Sequence, residues 1–237
     1  MRHLLPVIVM LVSISVSHAN DGYIYPIGLA SGSQYQILFV TSGTRDASSS
    51  NIADYNAFVT SAAGLNSSLP QGVTWNAVAS TSSIAATSNA PAYAGVPVYN
   101  TDGQLVVPGT RSLYASQLNA FSLDDQYGTP VSGFTQVWTG STYTGQPGGI
   151  NDLPPYIFAL GTNSSEGNGN AGLLATFGQP RGNWLESSGE APAASLPLYA
   201  LSSPITAVPE PALLPLVSFV AFLLLGRKRH LNTLSNQ

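Results

Sequence analysis

Between Asn20 and Val208 the chain has no cysteine, histidine or lysine, and this absence constrains its fold more than any motif does. Because no disulfide can form, the stretch must be stabilised by buried apolar side chains. Apolar residues make up 44% of the sequence, which is enough for a substantial core. The length of the stretch fits one domain, which we place at residues 20–207.

The missing side chains also exclude several kinds of site. Thiolate or imidazole zinc sites, Ser-His-Asp or Cys-His nucleophiles and lysine Schiff bases all need residues that this stretch lacks. Its ten carboxylates and three arginines leave about seven net negative charges, so we expect no nucleic-acid partner. We expect no cofactor; carboxylate chemistry and oxygen-ligand metals such as calcium remain open.

Apolar periodicity predicts a single strand-rich α+β domain, with a β-sandwich as the alternative. Residues 34–43 are apolar on both faces of an extended chain, which predicts a central strand. Tyr35, Ile37 and Phe39 share one face, and Leu38 and Val40 share the other. Further strands are predicted over residues 73–80, 133–141, 156–161, 173–178 and 196–202, and a hairpin over 96–107 that turns at Asp102-Gly103.

One or two helices complete the predicted domain. Ile52, Tyr55, Phe58 and Ala62 recur at helical intervals, while Asn51 can cap this helix and Gly64 can end it. A second short helix is predicted over residues 112–121. The glycine- and asparagine-rich residues 161–172 predict a solvated loop.

Residues 1–19 have the three parts of an export signal. Met1-Arg2-His3 supplies positive charge, residues 4–16 are apolar, and Ser17-His18-Ala19 is a small-x-small cleavage site. We therefore expect export through the Sec machinery and cleavage after Ala19.

Near its end the chain combines an apolar run with a basic cluster. Val208-Pro209-Glu210-Pro211 precedes the apolar residues 212–225, and Arg227-Lys228-Arg229 follows them. A helix over 212–225 is about 21 Å long, which is short for a ~30 Å hydrocarbon core, and Pro215 weakens it. We predict a transmembrane helix that anchors the chain weakly, with residues 231–237 in the cytoplasm.

These ordered parts, residues 208–230, resemble the PEP-CTERM sorting signal of exopolysaccharide-producing Gram-negative bacteria. The resemblance implies that an exosortase, a membrane cysteine protease, cuts near Pro209-Glu210-Pro211 while the inner membrane holds the protein. It further implies a final location at the cell surface or in the extracellular matrix, with exopolysaccharide as a partner. Residues 231–237 extend beyond the point where many members of the family end.

Short stretches of the predicted domain are similar to bacterial C-type-lectin-like and endostatin-like domains. Residues 137–141, Val-Trp-Thr-Gly-Ser, are similar to the Trp-Ile-Gly-Leu strand of C-type lectins. Residues 196–202 resemble their closing strand, with Ala200 where cysteine usually stands. The resemblance implies two small sheets, pairing of the first and last strands, and one or two flanking helices.

Calcium and sugar are the ligands that the remaining side chains could bind. Hard oxygen ligands for calcium occur at Asn163, Glu166, Asn168 and Asn170 in the predicted loop, with Asn151 and Asp152 before it. That loop lacks the spacing of an EF-hand and the Glu-Pro-Asn triplet of sugar-binding lectins, so a loop without metal is the alternative. Trp75, Trp138 and Trp184 could stack on sugar rings or pack in the core.

A secreted glycoside hydrolase would need two carboxylates, and Asp124, Asp125, Asp152 and Glu186 are the candidates. Asp124 and Asp125 are adjacent and would point apart in a strand, so the pair is more typical of a helix end or a turn. Arg45, Arg111 and Arg181 are predicted to be structural partners of carboxylates such as Asp46 or Asp54. We therefore predict a non-catalytic, exosortase-processed surface or matrix protein; a calcium-assisted glycan-binding adhesin and the hydrolase are the alternatives.

Overall fold

The described part of the domain contains two β-sheets and a few helices. The structure is a computed structural model that describes residues 26, 29–115, 118–119, 123–131, 133, 135–148, 158–162, 166–170 and 184–208, with only the backbone over 166–170. In chain order the elements are β1 (Gln34–Val40), α1 (Ile52–Gly64), β2 (Trp75–Ala77), α2 (Ala86–Asn89), β3 (Val98–Tyr99), β4 (Leu105–Val107), a 3-10 turn (Leu113–Ala115), β5 (Gln136–Trp138), β6 (Glu166–Asn170), β7 (Ser188–Glu190), β8 (Tyr199–Ser202) and β9 (Ile205–Thr206).

Strand β1 lies at the centre of the larger sheet, whose order is β2-β8-β1-β3-β4. It runs parallel to β3 and antiparallel to both β8 and β9. The first strand thus pairs with the last two, as expected. A mixed, strand-rich sheet with helices fits the predicted α+β class, while the likeness to lectins stays a prediction.

The two faces of β1 are buried in two separate clusters, which confirms the predicted central strand. Tyr35, Ile37 and Phe39 pack with helix α1, Trp75 and Trp138. Leu38 and Val40 pack on the opposite face, among Val98, Tyr114, Trp184, Tyr199 and Leu201. Burial on both faces explains why the strand reads as an almost continuous apolar run.

Helix α1 begins where the sequence predicts. The side-chain oxygen of Asn51 accepts a hydrogen bond from the backbone N–H of Ala53 at 3.2 Å and so caps the first turn. Tyr55 and Val59 are buried against the sheet. The helix ends at Gly64, also as predicted.

The smaller sheet has the order β5-β6-β7 and is antiparallel throughout. Its central strand, β6, occupies residues that were predicted to be part of a solvated loop, so that prediction is wrong for 166–170. Glycine and asparagine have low strand propensity, but here the backbone pairs on both sides, with Gln136–Trp138 and with Ser188–Glu190. Pairing with distant segments therefore overrides local preference.

Three further predicted elements, over residues 112–121, 156–161 and 173–178, differ from the structure or lie outside the described residues, and one helix was not predicted. The helix predicted over residues 112–121 is reduced to the 3-10 turn in its described part. Helix α2 was not predicted; its first amide, on Ala86, donates to the hydroxyl of Ser80 at 2.8 Å. Of the strand predicted over 156–161, the described residues contribute a single bridge between Leu160 and Thr81. Residues 173–178 lie outside the described residues.

Within the part of the chain that the structure describes, no helix is long and apolar enough to cross a membrane. The predicted span over residues 212–225 lies outside that part.

Candidate functional site

The two ends of the domain meet beside the start of the central strand β1, directly before the predicted sorting motif. The amide of Gly32 donates to the carbonyl of Ala207 at 2.9 Å, and the amide of Ala207 donates to Ser33 at 2.8 Å. Val208 follows and is exposed. Pro209, Glu210, Pro211, the cluster Arg227, Lys228 and Arg229, and the cleavage residue Ala19 lie outside the described residues.

The structure changes the setting of the calcium candidates. Glu166, Asn168 and Asn170 lie on strand β6 and not on a loop, so they are not the consecutive loop ligands that were expected. Asn163 and Asp152 lie outside the described residues. Among the residues that are described, no group of three acidic or histidine side chains could hold a metal ion.

Three hydrolase candidates make structural hydrogen bonds, and Asp152 is not described. Asp124 is buried and accepts a hydrogen bond of 2.5 Å from the amide of Asn100. Asp125 accepts from the amides of Tyr127 and Thr129 at 2.8 and 3.0 Å, which confirms the predicted turn. Glu186 accepts from the amide of Tyr143 at 2.8 Å.

All three tryptophans belong to the core, so sugar stacking on them is excluded by burial. Trp138 is fully buried and donates from Nε1 to the carbonyl of Arg45 at 3.0 Å. Trp75 packs edge-on against Phe39, and Trp184 packs edge-on against Tyr199. Exposed aromatic faces belong instead to tyrosines, among them Tyr93 and Tyr127.

The two described arginines have different surroundings. Arg45 lies 3.7 Å from the carboxylate of Asp46, donates to the carbonyl of Asp54 at 2.9 Å and stacks 4.3 Å from the ring centre of Tyr55. This confirms a structural role. Arg111 was expected to pair with a carboxylate, but within the described residues it donates to the side-chain oxygen of Asn119 instead.

Arg111 lines a surface cleft of about 260 Å³. Tyr93 forms another wall, and 47% of its surface is exposed. Thr110 and Ser112 add hydroxyl groups, while Val98 and Leu113 contribute apolar surface. The described lining contains no carboxylate, so the guanidinium dominates the local charge.

Two turns that touch each other build this cleft. The carbonyl of Tyr93 accepts from Val96 at 3.1 Å across one turn, and the carbonyl of Pro108 accepts from Arg111 at 2.9 Å across the other. The amide of Gly95 joins them by donating to Gly109 at 2.9 Å. A Cβ atom at Gly109 would lie 2.6 Å from the Gly95 backbone, so only glycine allows this approach.

A buried glutamine fixes the tyrosine side of the cleft to the central strand. The Nε2 atom of Gln36 donates to the carbonyls of Pro91 and Ser202 at 3.0 and 2.7 Å. Its oxygen accepts from the amide of Tyr93 at 3.4 Å. The segment that carries Tyr93 is thereby attached to the core.

Sequence reasoning missed the cleft because its parts carry no shared pattern. Tyr93 lies between Pro91 and Gly95, in a stretch that reads only as turn-rich. Arg111 is conspicuous only because arginine is rare in this chain. That scarcity is the one signal that could have singled it out.

A scan against protein-family models matches no family, and a search of curated proteins finds no similar sequence. The function therefore has to be inferred from this chain's own residues and contacts.

Proposed function

We propose that this chain is an exported, exosortase-processed protein of the cell surface or extracellular matrix, associated with exopolysaccharide and without catalytic activity. One observation carries the proposal: Pro209-Glu210-Pro211, an apolar run and a basic cluster follow one another over residues 208–230. Together with the export signal over residues 1–19, this order provides a route out of the cytoplasm and a removable membrane anchor.

The position of the motif next to the domain supports processing. The last backbone pairing among the described residues involves Ala207, and Pro209 follows two residues later. A cut near Pro209-Glu210-Pro211 therefore leaves the strand pairs of the domain intact. The released domain needs no refolding of its described strands, because these all lie before the cut.

The surroundings of the carboxylates support a non-catalytic role. A glycosidase needs one carboxyl group as acid and a second as base or nucleophile on opposite sides of a substrate. Asp125 and Glu186 each accept a hydrogen bond from a backbone amide. Asp124 is buried and accepts a hydrogen bond from the side-chain amide of Asn100. These contacts give each group a structural task.

Glycan binding is the second candidate function, and the cleft favours it. An exposed tyrosine face suits the apolar face of a sugar ring, and Arg111, Thr110 and Ser112 can donate hydrogen bonds to hydroxyl or carboxylate groups. Calcium assistance has less support, because Glu166, Asn168 and Asn170 lie in a strand.

The proposal is tested by fractionating cells with and without their exosortase and measuring the mass of the protein. We expect a shortened form at the surface or in the medium when the protease is present. Without it, the uncut chain should stay in the inner membrane. Equal mass and location in both strains would overturn the proposal.

Matched variants show whether the exosortase recognises Pro209-Glu210-Pro211 itself. Replacing Pro209-Glu210-Pro211 by alanines should keep the chain uncut in cells that have the protease. Glu190→Ala, which changes an acidic residue of strand β7 within the domain, should be cut normally. Cutting of the alanine variant would assign processing to another segment.

A further inference from the structure

The charge of the Arg111 cleft is opposite to that of the domain around it. Ten carboxylates and three arginines lie between Asn20 and Val208, so the domain is strongly acidic. The described lining of the cleft nevertheless contains Arg111 and no acidic side chain. A locally positive depression on an acidic protein points to a ligand with a negative group.

The hydrogen bonds of Arg111 leave most of its donors available. A guanidinium group has five N–H donors, and in the described residues Arg111 uses Nη2 toward the Asn119 oxygen. Arg45 provides the contrast, because the carbonyl oxygens of Asp46 and Asp54 and the ring of Tyr55 surround it. Of the two described arginines, Arg111 is thus the one with donors left for a hydrogen bond to a ligand.

We propose that this cleft binds a sugar that carries a carboxylate, a uronate residue of an acidic polysaccharide. Arg111 holds the carboxylate with two parallel hydrogen bonds, which is the arrangement its planar group favours. The ring of Tyr93 covers the apolar face of the sugar. Thr110 and Ser112, which also line the cleft, bond the ring hydroxyls.

The size and charge of the site restrict the ligand further. A volume of about 260 Å³ is below the roughly 300–1,000 Å³ of pockets for drug-sized ligands, which suits one sugar ring. The net negative charge of the domain repels a dense row of carboxylates. The site therefore favours uronates that are spaced between neutral sugars.

This inference rests on the proposed association with exopolysaccharide, and it names the chemical group that is recognised. The test uses the full-length chain in a polyoxyethylene detergent, because sugar-based detergents would compete for the cleft. Glucuronate and glucose are compared by calorimetric titration, since the two differ only in the carboxylate. We expect binding of glucuronate, weakened by salt, and at least roughly tenfold weaker binding of glucose.

Variants assign the binding to the cleft. Arg111→Gln should weaken glucuronate binding roughly 10- to 100-fold, as expected for a charge-assisted pair, and should weaken glucose binding much less. Tyr93→Ala should weaken binding of both sugars. Tyr127→Ala is the matched control, because Tyr127 is an exposed tyrosine of similar accessibility (52%) that does not line the cleft.

Three outcomes would overturn the inference: equal affinity for the two sugars, no binding of either, or an unchanged affinity in Arg111→Gln. None of them bears on export and processing, which the fractionation of cells decides. Conversely, a protein that is never exported could still bind glucuronate. The two proposals can therefore fail independently.

Discussion

The side-chain amide of Asn100 donates a hydrogen bond of 2.5 Å to Oδ2 of Asp124, and both residues are buried. The oxygen of the same Asn100 amide accepts from the backbone of Gln104 at 2.7 Å, so the β3–β4 hairpin fixes the donor in place. The backbone carbonyl of Asp124 accepts from Val40 at 2.9 Å. A carboxyl group is thus held between the hairpin and the central strand.

Burial, together with the nearby negative charges of Asp102 and Asp125, raises the pKa of Asp124 from 3.8 to about 6. The folded protein therefore holds this proton more tightly than the unfolded chain does. We expect the contribution of Asp124 to stability to be greatest below pH 3.8 and to fall as the pH rises to about 6.

Asp124→Asn should remove this dependence. Its free energy of unfolding should exceed that of the parent protein by about 1 to 3 kcal/mol at pH 8 and match it near pH 3.5. Chemical denaturation across that range measures the difference. Asp102→Asn should raise the free energy of unfolding at pH 8 by a smaller amount. If the free energy of unfolding changed with pH in the same way in the parent protein and in Asp124→Asn, the prediction would be wrong.

Gly140→Ala should destabilise the protein by about 3 kcal/mol. Gly140 has a φ of +55°, and an added Cβ would lie 2.4 Å from the carbonyl oxygen of Ser80. That oxygen accepts a hydrogen bond from the amide of Leu160 at 3.0 Å. The clash therefore also disturbs the contact between the segments that carry Ser80 and Leu160. Urea denaturation gives the change in stability.

Gly64→Ala is the control for Gly140→Ala. Gly64 ends helix α1, and an added Cβ there meets no atom within 4 Å. Alanine should leave stability unchanged or raise it by up to about 1 kcal/mol. Equal losses at both positions would show that crowding at Gly140 is not the cause.

Local patterns predicted the parts of this fold that depend on neighbours in sequence. The two-sided apolar run at Gln34–Val40 and the Asn51 cap of α1 are of that kind. Strand β6 is different, since its pairing partners β5 and β7 lie far away along the chain. The cleft is different as well, because it depends on the close approach of the Gly95 and Gly109 backbones. The spacing of apolar residues in the sequence does not indicate such an approach.

Two buried tyrosines beside Trp184 should respond differently to loss of the hydroxyl. Among the described residues the Tyr199 hydroxyl has no hydrogen-bond partner, whereas that of Tyr114 donates to Ala90 at 2.6 Å. Tyr199→Phe should keep or raise the free energy of unfolding, and Tyr114→Phe should lower it by about 1 to 2 kcal/mol. Burial raises the pKa of both groups, so the comparison is the same across ordinary pH.

The comparison is made by thermal and chemical denaturation of the two variants side by side. A larger loss in Tyr199→Phe than in Tyr114→Phe would mean that Tyr199 has a partner. Both substitutions keep the ring, so the packing against Trp184 is preserved.

Gln36→Met should disturb the cleft from within the core. The substitution keeps the side-chain volume close to the original but leaves the carbonyls of Pro91 and Ser202 without their donor. We expect a loss of about 2 kcal/mol in stability and faster hydrogen exchange at the amide of Tyr93. Gln104→Met, at an exposed position, is the control, and unchanged exchange at Tyr93 would contradict the role of Gln36.

The pairing of β9 also determines how the domain responds to force. β9 joins β1 through two residue pairs, Gln34 with Thr206 and Tyr35 with Ile205, whereas β8 is enclosed between β1 and β2. In the membrane-held form that we propose, drag on the domain would pull β9 from the end that continues into the tail, so its hydrogen bonds to β1 would break one after another. The segment between domain and membrane then lengthens by a few residues, while β8 stays paired with β1 and β2. Strand β9 would therefore yield to force before the core of the domain opens.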